Sequence, residues 1–118
     1  MKTLLSAAAL IVLTSTGASA AEGFATRTVG DLAQICSGGP SGTPRAAAEN
    51  FCLGYAQGLM SITLDKDKQA ICLPPNPPSR LSTMNDFVTW ARASEERKSM
   101  PAARGLLAFF QERFPCNK

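Results

Sequence analysis

Histidine is absent from this chain and tyrosine and tryptophan are rare, which excludes several kinds of chemistry. The 118 residues include no His, one Trp and one Tyr. Neither a Ser or Cys nucleophile activated by an imidazole nor a histidine metal site is therefore available. Glu95 with Glu96, and Glu49 with Glu112, are the carboxylate pairs left for acid–base catalysis, but charged side chains on helix surfaces are usually solvated. We expect no enzymatic activity and no cofactor.

Clusters of basic residues are also missing. The chain has 12 Lys and Arg against 9 Asp and Glu, and the two signs are mixed along the sequence. Its one Trp and one Tyr do not alternate with basic residues as a base-stacking surface requires. We therefore do not expect a nucleic acid as partner.

Long apolar runs are confined to the N-terminus. Lys2 precedes the run "LLSAAALIVL", and Ala18 and Ala20 form an A-x-A cleavage signature. The run is too short to span a bilayer comfortably. The pattern predicts a cleaved secretory signal peptide at residues 1–20 and a single mature domain at residues 21–118, with no membrane attachment after cleavage. A retained N-terminal anchor is the alternative.

Four cysteines lie in the predicted mature chain: Cys36, Cys52, Cys72 and Cys116. An even number of cysteines in a small exported domain indicates disulfides and an oxidising compartment. A zinc site is the rival interpretation, but the sequence has no C-x-x-C pair and no histidine. We expect two disulfides and no metal.

A calcium loop is the second metal motif to consider. Asp65 and Asp67 begin a stretch with carboxylates at alternate positions. Its sixth position is Ala70 where glycine is needed, and its twelfth is Asn76 rather than a bidentate glutamate. The motif fails at both positions.

Helix caps and helical periodicity predict a small all-α bundle of about four helices, stapled by disulfides. Thr28, followed three residues later by Asp31, resembles a capping box for a short first helix. After the break "SGGPSG", Thr43 and Pro44 mark the start of a long second helix. No alternating pattern predicts a strand.

The second half of the chain predicts two more helices. Ser82 or Thr83 is the expected cap of the third helix, and "EERKS" is expected to be a polar stop after it. Pro101 is expected to start the fourth helix and Pro115 to end it. Two apolar stripes are expected to face the core: Met84, Phe87, Val88 and Ala91, then Ala103, Leu106, Leu107, Phe110 and Phe114. The preceding "ICLPPNPPSR" is expected to be extended, because its prolines forbid a regular helix.

Four cysteines allow three pairings, and the helical layout favours one of them. If the third and fourth helices form an antiparallel hairpin, the start of one lies beside the end of the other. Cys72 then lies close to Cys116, which leaves Cys36 to pair with Cys52. A peptide map linking Cys36 to Cys72 would refute this arrangement.

The stretch "NFCLGYAQGLM" places two glycines inside the second helix, where each costs roughly 1 kcal/mol relative to alanine. Gly54, Tyr55 and Gly58 form a candidate helix-packing motif. On a helical wheel, Ala47, Gly54, Gly58 and Ser61 make a strip of small residues beside an apolar stripe that contains Cys52. We interpret the strip as the place where another helix of the bundle crosses closely.

The second helix also carries apolar residues on a nearly opposite face, Leu53, Met60 and Leu64. A helix of a small domain usually needs one apolar face. Either this helix is the central one, or its second face meets another copy in a homodimer. Phe109 and Trp90 lie off or at the edge of the apolar stripes of their own helices. They are either exposed contact residues or residues at the edge of the core, and we favour the second interpretation.

Three motifs together resemble a known family: "CLGYAQG" at residues 52–58, "CLP" at 72–74 and "FPC" at 114–116. The combination resembles the Tai/Rap family of immunity proteins, which are associated with type VI secretion amidase effectors. The resemblance extends from about Val29 to the C-terminus.

The resemblance implies a small, helical, disulfide-bonded periplasmic protein, commonly a homodimer, that binds a peptidoglycan amidase effector and blocks its active site. It identifies no inhibitory residue, because the contacts vary with the effector. The loops "DKDKQA" and "ASEERKSM" are the candidate contact surfaces. A periplasmic stress or acid chaperone is the alternative function, and an orphan scaffold that binds another partner is a further one.

Overall fold

The computed structural model describes residues 23–63 and 70–116. These ranges contain five helices and no strand: α1 Val29–Cys36, α2 Arg45–Thr63, α3 Arg80–Arg92, α4 Glu95–Ser99 and α5 Ala102–Arg113. The predicted all-α class is confirmed. The predicted signal peptide, and Asp65 and Asp67 with most of the loop that holds them, lie outside the described residues.

Helix α1 begins as its sequence predicts. The Thr28 hydroxyl accepts a hydrogen bond from the Asp31 N–H at 3.2 Å, and the Asp31 carboxylate accepts one from the Thr28 N–H at 2.9 Å. The capping box is therefore complete, and it satisfies two N–H groups that a helix start leaves without intrahelical partners.

The centre of the fold is α1 rather than the long α2. This eight-residue helix contacts α2, α3, α4 and α5, and both Val29 and Leu32 are completely buried. The Val29 N–H donates to the Met100 carbonyl at 2.9 Å, and the Ala102 N–H donates to the Arg27 carbonyl at 3.1 Å. These bonds join the start of α1 to the start of α5.

The start of α3 corrects the sequence prediction. Its cap is Ser79, whose hydroxyl accepts the Ser82 N–H at 3.1 Å, and not Ser82 or Thr83. Ser79 follows two prolines, so it is the first residue after them that has the side chain of a cap. Thr83 is instead buried inside α3, where its hydroxyl donates to the Ser79 carbonyl at 3.0 Å.

The stretch "EERKS" is a helix, α4, and its interpretation as a simple polar stop is wrong. Ser94 caps α4 by accepting the Arg97 N–H at 3.3 Å. Glu95 and Glu96 occupy the first turn and Arg97 and Lys98 the last, which is the charge order that a helix dipole favours.

The predicted apolar stripe is correct for α3 and only partly correct for α5. Met84, Phe87, Val88 and Ala91 are all buried on one face of α3. In α5, Leu106 and Phe110 are buried as expected, but Ala103 is exposed and Phe109 is only 3% exposed. The Phe109 ring lies 5.5 Å from that of Phe87, so Phe109 is a core residue and not a contact residue. Trp90 is half-buried beside it, with 5.8 Å between the ring centroids.

Candidate protein-binding surface

Two disulfides hold the connections of the bundle. Cys36 at the end of α1 is bonded to Cys52 in α2, with 5.1 Å between the Cα atoms. Cys72 is bonded to Cys116 across a Cα distance of 4.8 Å, and the Cys72 N–H donates to the Phe114 carbonyl at 3.0 Å. The structure thus brings together the two pairs that the helical layout favours. The second bond ties the proline-rich segment, residues 71–79, to the end of α5.

The glycines of the second helix are not at a crossing with any described helix, which corrects the interpretation of the small-residue strip. Ala47, Gly54, Gly58 and Ser61 are all exposed. A Cβ atom built at Gly54 or Gly58 would meet nothing within 4 Å among the described atoms. The face that α2 does bury carries Ala48, Cys52 and Ala56, spaced four residues apart. The strip lies beside this face rather than on it. Tyr55, the third residue of the proposed motif, is half-buried, and its ring lies 6.2 Å from that of Phe51.

The close backbone approach in this fold occurs at Gly105, which sequence reasoning missed. A Cβ atom there would lie 2.1 Å from Cγ2 of Val29, far inside van der Waals contact. Gly105 is therefore the residue that lets α5 pack against the start of α1. Its signal in the sequence was a glycine among the apolar residues of the last helix, next to Leu106.

The second apolar face of α2 packs against this chain. Leu53 and Met60 are partly buried and contact the core. Their burial accounts for two of the three residues that suggested a second copy, and Leu64 lies outside the described residues. The chain nevertheless exposes one large apolar side chain at the end of α2, because Ile62 is 73% exposed.

One candidate contact loop is well described, residues 93–100, which we call the α4 corner. Arg97 anchors it: the guanidinium lies 4.5 Å from the centre of the Trp90 ring, and Nη1 donates to the Trp90 carbonyl at 3.1 Å. Glu112 of α5 completes the anchor by accepting the Trp90 indole N–H at 2.7 Å, and it lies 3.9 Å from Arg97. The corner is thus held against both α3 and α5.

The outer surface of the α4 corner is charged. Glu95 contacts Lys98 and has 89% of its side chain exposed. Glu96 is also exposed. The anchor through Arg97 and the cap at Ser94 fix the backbone that carries these carboxylates. The corner therefore presents charge from an ordered position, which lowers the entropic cost of binding a partner.

Two further properties concern the described ranges alone. Within residues 23–63 and 70–116, no group of three or more His, Cys, Asp or Glu side chains is placed to hold a metal ion. No helix in the same ranges has both the length and the apolar character needed to cross a membrane.

The fold and its surface define the class: a small all-α protein stapled by two disulfides, with an ordered, charged corner suited to protein contacts. The chain belongs to the Rap1a immunity protein family, whose model matches residues 28–116. This match confirms the resemblance carried by the cysteine and glycine motifs. No curated protein and no solved structure was found to match the chain. Membership implies that the partner is a protein, a type VI secretion effector.

Proposed function

We propose that this chain is a periplasmic immunity protein that binds a peptidoglycan amidase effector of type VI secretion and blocks its active-site cleft. The observation that carries the proposal is the family match over residues 28–116, which includes every described helix. The disulfides fit an oxidising compartment such as the periplasm, which a cleaved signal peptide would allow the chain to reach.

The proposed contact surface is the α4 corner. An inhibitor that blocks a cleft gains affinity when its contact surface is ordered before binding. The corner meets this condition through the anchor of Arg97 on Trp90 and through the Val29 to Met100 hydrogen bond at 2.9 Å. Glu96 is exposed there, and none of the ion pairs among the described residues includes it.

Neutralisation of an amidase tests the function directly. A peptidoglycan amidase effector of type VI secretion, chosen from any that the same genome encodes, is exported to the periplasm of a test bacterium, with and without the full chain. The expected result is lysis by the amidase alone and normal growth when the chain is co-expressed. With purified proteins, the mature chain should abolish peptidoglycan cleavage at a stoichiometric ratio. Full cleavage in the presence of excess mature chain would contradict the proposal.

A pair of charge reversals tests the contact surface separately. Glu96→Lys should weaken amidase binding on the order of tenfold, because a reversed charge at an interface opposes the partner's complementary charge. Glu49→Lys is the matched control, since it makes the same change on α2, which has at most a weak contact with α4. Equal affinities of the two variants for the amidase would contradict the α4 corner as the contact surface. They would not contradict the neutralisation result.

A further inference from the structure

An apolar groove runs between α2 and the proline-rich segment. Its volume is about 480 Å³, which is within the usual range of small-molecule sites. Leu53 and Met60 of α2 form one wall, and Leu73 and Pro77 form the other. The hydrogen bond from Cys72 to Phe114 and the Cys72–Cys116 disulfide hold the second wall in place.

The floor of the groove is part of the core. Met84 of α3 and Phe110 of α5 line it, and each is at most 3% exposed. Such a floor is held by the packing of the whole bundle, because buried core side chains are close-packed. Its apolar surface favours an occupant with an apolar body.

The mouth of the groove carries a positive charge. Arg80, the first residue of α3, bridges the groove by donating from Nη1 to Oε1 of Gln57 at 3.0 Å. Among the described residues, no Asp or Glu lines the groove and no ion pair includes Arg80. The guanidinium therefore has N–H donors left for an anion, and the Gln57 amide group adds another donor.

A second copy of the chain is a poor occupant of the groove because of the charge on Arg80. A two-fold dimer with its axis at the mouth of this groove would bring the same surface of each copy together and place one Arg80 near the other. Like charges in a contact are repulsive. An occupant with an apolar body and a negative end satisfies both the walls and the mouth.

We propose that the groove binds single-chain carboxylate amphiphiles of the fatty-acid type, with the carboxylate on Arg80 and the alkyl chain along Leu53, Met60 and Leu73. Charge complementarity at the mouth selects the carboxylate. The apolar walls select the chain. This site is independent of the proposed amidase contact, because the α4 corner contributes no residue to the groove.

The methionines provide a probe with a built-in control. Met60 and Met84 line the groove, whereas Met100 lies in the α4 corner. The mature chain, with its disulfides intact and its methionine methyl groups labelled with carbon-13, is titrated with decanoate below its micellar concentration and followed by NMR. The Met60 and Met84 methyl signals should shift and saturate, and that of Met100 should not. Octanoate should bind about fifteenfold more weakly, since each buried methylene group contributes about fourfold to affinity.

The charge at the mouth is tested with two arginine variants. Arg80→Gln should weaken decanoate binding about tenfold, as expected for the loss of a charge-assisted hydrogen bond, and should leave the binding of decanol unchanged. Arg104→Gln, an exposed arginine of α5 outside the groove, should change neither. Unchanged helical circular dichroism verifies that both variants are folded.

Several results would overturn the proposal. They are an absence of methyl shifts at millimolar decanoate, equal shifts at Met100, or equal decanoate affinity in the two arginine variants. Shifts of Met60 and Met84 that depend on protein concentration without ligand would identify a second copy as the occupant. Shifts that the amidase causes and decanoate does not would identify the effector instead.

Discussion

Glycine has opposite roles at two places in this protein, and the difference depends on what surrounds each residue. Gly54 and Gly58 are exposed in the middle of α2, where they weaken the helix and where an added Cβ would meet no described atom outside it within 4 Å. Gly105 is buried in α5 against Val29. A glycine's sequence neighbours in a helix do not distinguish these cases, because the decisive contact comes from a distant part of the chain.

The first prediction concerns Gly105. Gly105→Ala should lower the free energy of unfolding by about 1 kcal/mol net, because the new Cβ would overlap Cγ2 of Val29 and overpacking a core costs about 1–3 kcal/mol, whereas the gain in helix propensity returns about 1 kcal/mol. Gly54→Ala is the matched control and should raise the same quantity by about 0.5–1 kcal/mol through helix propensity. Urea denaturation measures both. A Gly105→Ala variant as stable as the parent would show that α1 and α5 are farther apart than described.

The second prediction concerns the capping box. The hydrogen bond from the Thr28 N–H to its carboxylate lowers the pKa of Asp31 below the usual 3.8, and this outweighs the opposing effect of burial. A carboxyl whose pKa is lower in the folded state stabilises the fold above its unfolded pKa, and this contribution is lost as the pH falls through the folded value. The cap should therefore contribute fully above about pH 4 and progressively less below it.

Asp31→Asn tests this sign. At pH 7 it should lower the free energy of unfolding by about 0.5–1 kcal/mol, the usual range for a weakened cap with less negative charge in the first turn. Its deficit relative to the parent should shrink as the pH falls from 4 to 2, as measured by urea denaturation at each pH. Glu96→Gln serves as a surface control. A deficit that stays constant with pH would contradict the role of the Asp31 carboxylate.

Single elements of this fold are held by contacts that are far apart in sequence. Helix α4 has five residues, too few to be stable alone, and it persists because Arg97 stacks on Trp90 and Ser94 caps its start. The proline-rich segment has no helical hydrogen bonds of its own, and the Cys72–Cys116 disulfide joins it to the end of α5. Each element takes its position from its neighbours.

The third prediction compares the two disulfides. Cys36–Cys52 closes a sequence separation of 16 residues and Cys72–Cys116 one of 44. In the chain-entropy account, removing the first costs about 3 kcal/mol and removing the second about 4 kcal/mol. Paired Cys→Ala variants, unfolded in urea without reductant, measure the two costs. A larger loss for the shorter loop would contradict the ranking, and peptide mapping of the parent without reductant should recover these two pairs.

The described helices are organised around α1, a helix of only eight residues. Helix α1 touches each of the other four described helices, and the bonds of its first residues to Met100 and Ala102 close the bundle. With Leu53 and Met60 packed on this chain's own core, the face that first suggested a dimer is largely used internally. Ile62, at 73% exposure, is the large apolar side chain left at the end of α2.

The fourth prediction concerns assembly. We expect the mature chain to form a homodimer that covers Ile62, as its family resemblance implies and as the exposure of this side chain favours. Light scattering of the mature chain at micromolar concentration should give twice the monomer mass. The Ile62→Lys variant should give a mass closer to that of the monomer. A monomer mass for the parent under these conditions would count against the dimer.

Features that depend on local chemistry were predicted well. The capping box at Thr28, the buried face of α3 and the absence of a regular helix among the prolines all follow from interactions within a few residues. The cysteine pairing required one tertiary assumption, an antiparallel arrangement of the last two long helices. In contrast, the stability of α4, the burial of Gly105 and the central position of α1 depend on packing partners elsewhere in the chain. Local signals accompany the first two, the Ser94 cap of α4 and the glycine beside Leu106, but they do not show which long-range contacts form.

The same distinction applies to the binding surfaces. The sequence by itself determined the helical class, the cysteines available for bonding and the family, because periodicity, composition and motif spacing are properties of the chain. Only the tertiary structure decided which glycine is buried, that the α4 corner is anchored by Arg97, and that Arg80 lies at the mouth of an apolar groove. These features arise where side chains distant in sequence meet, and their contacts exist only after the bundle has packed.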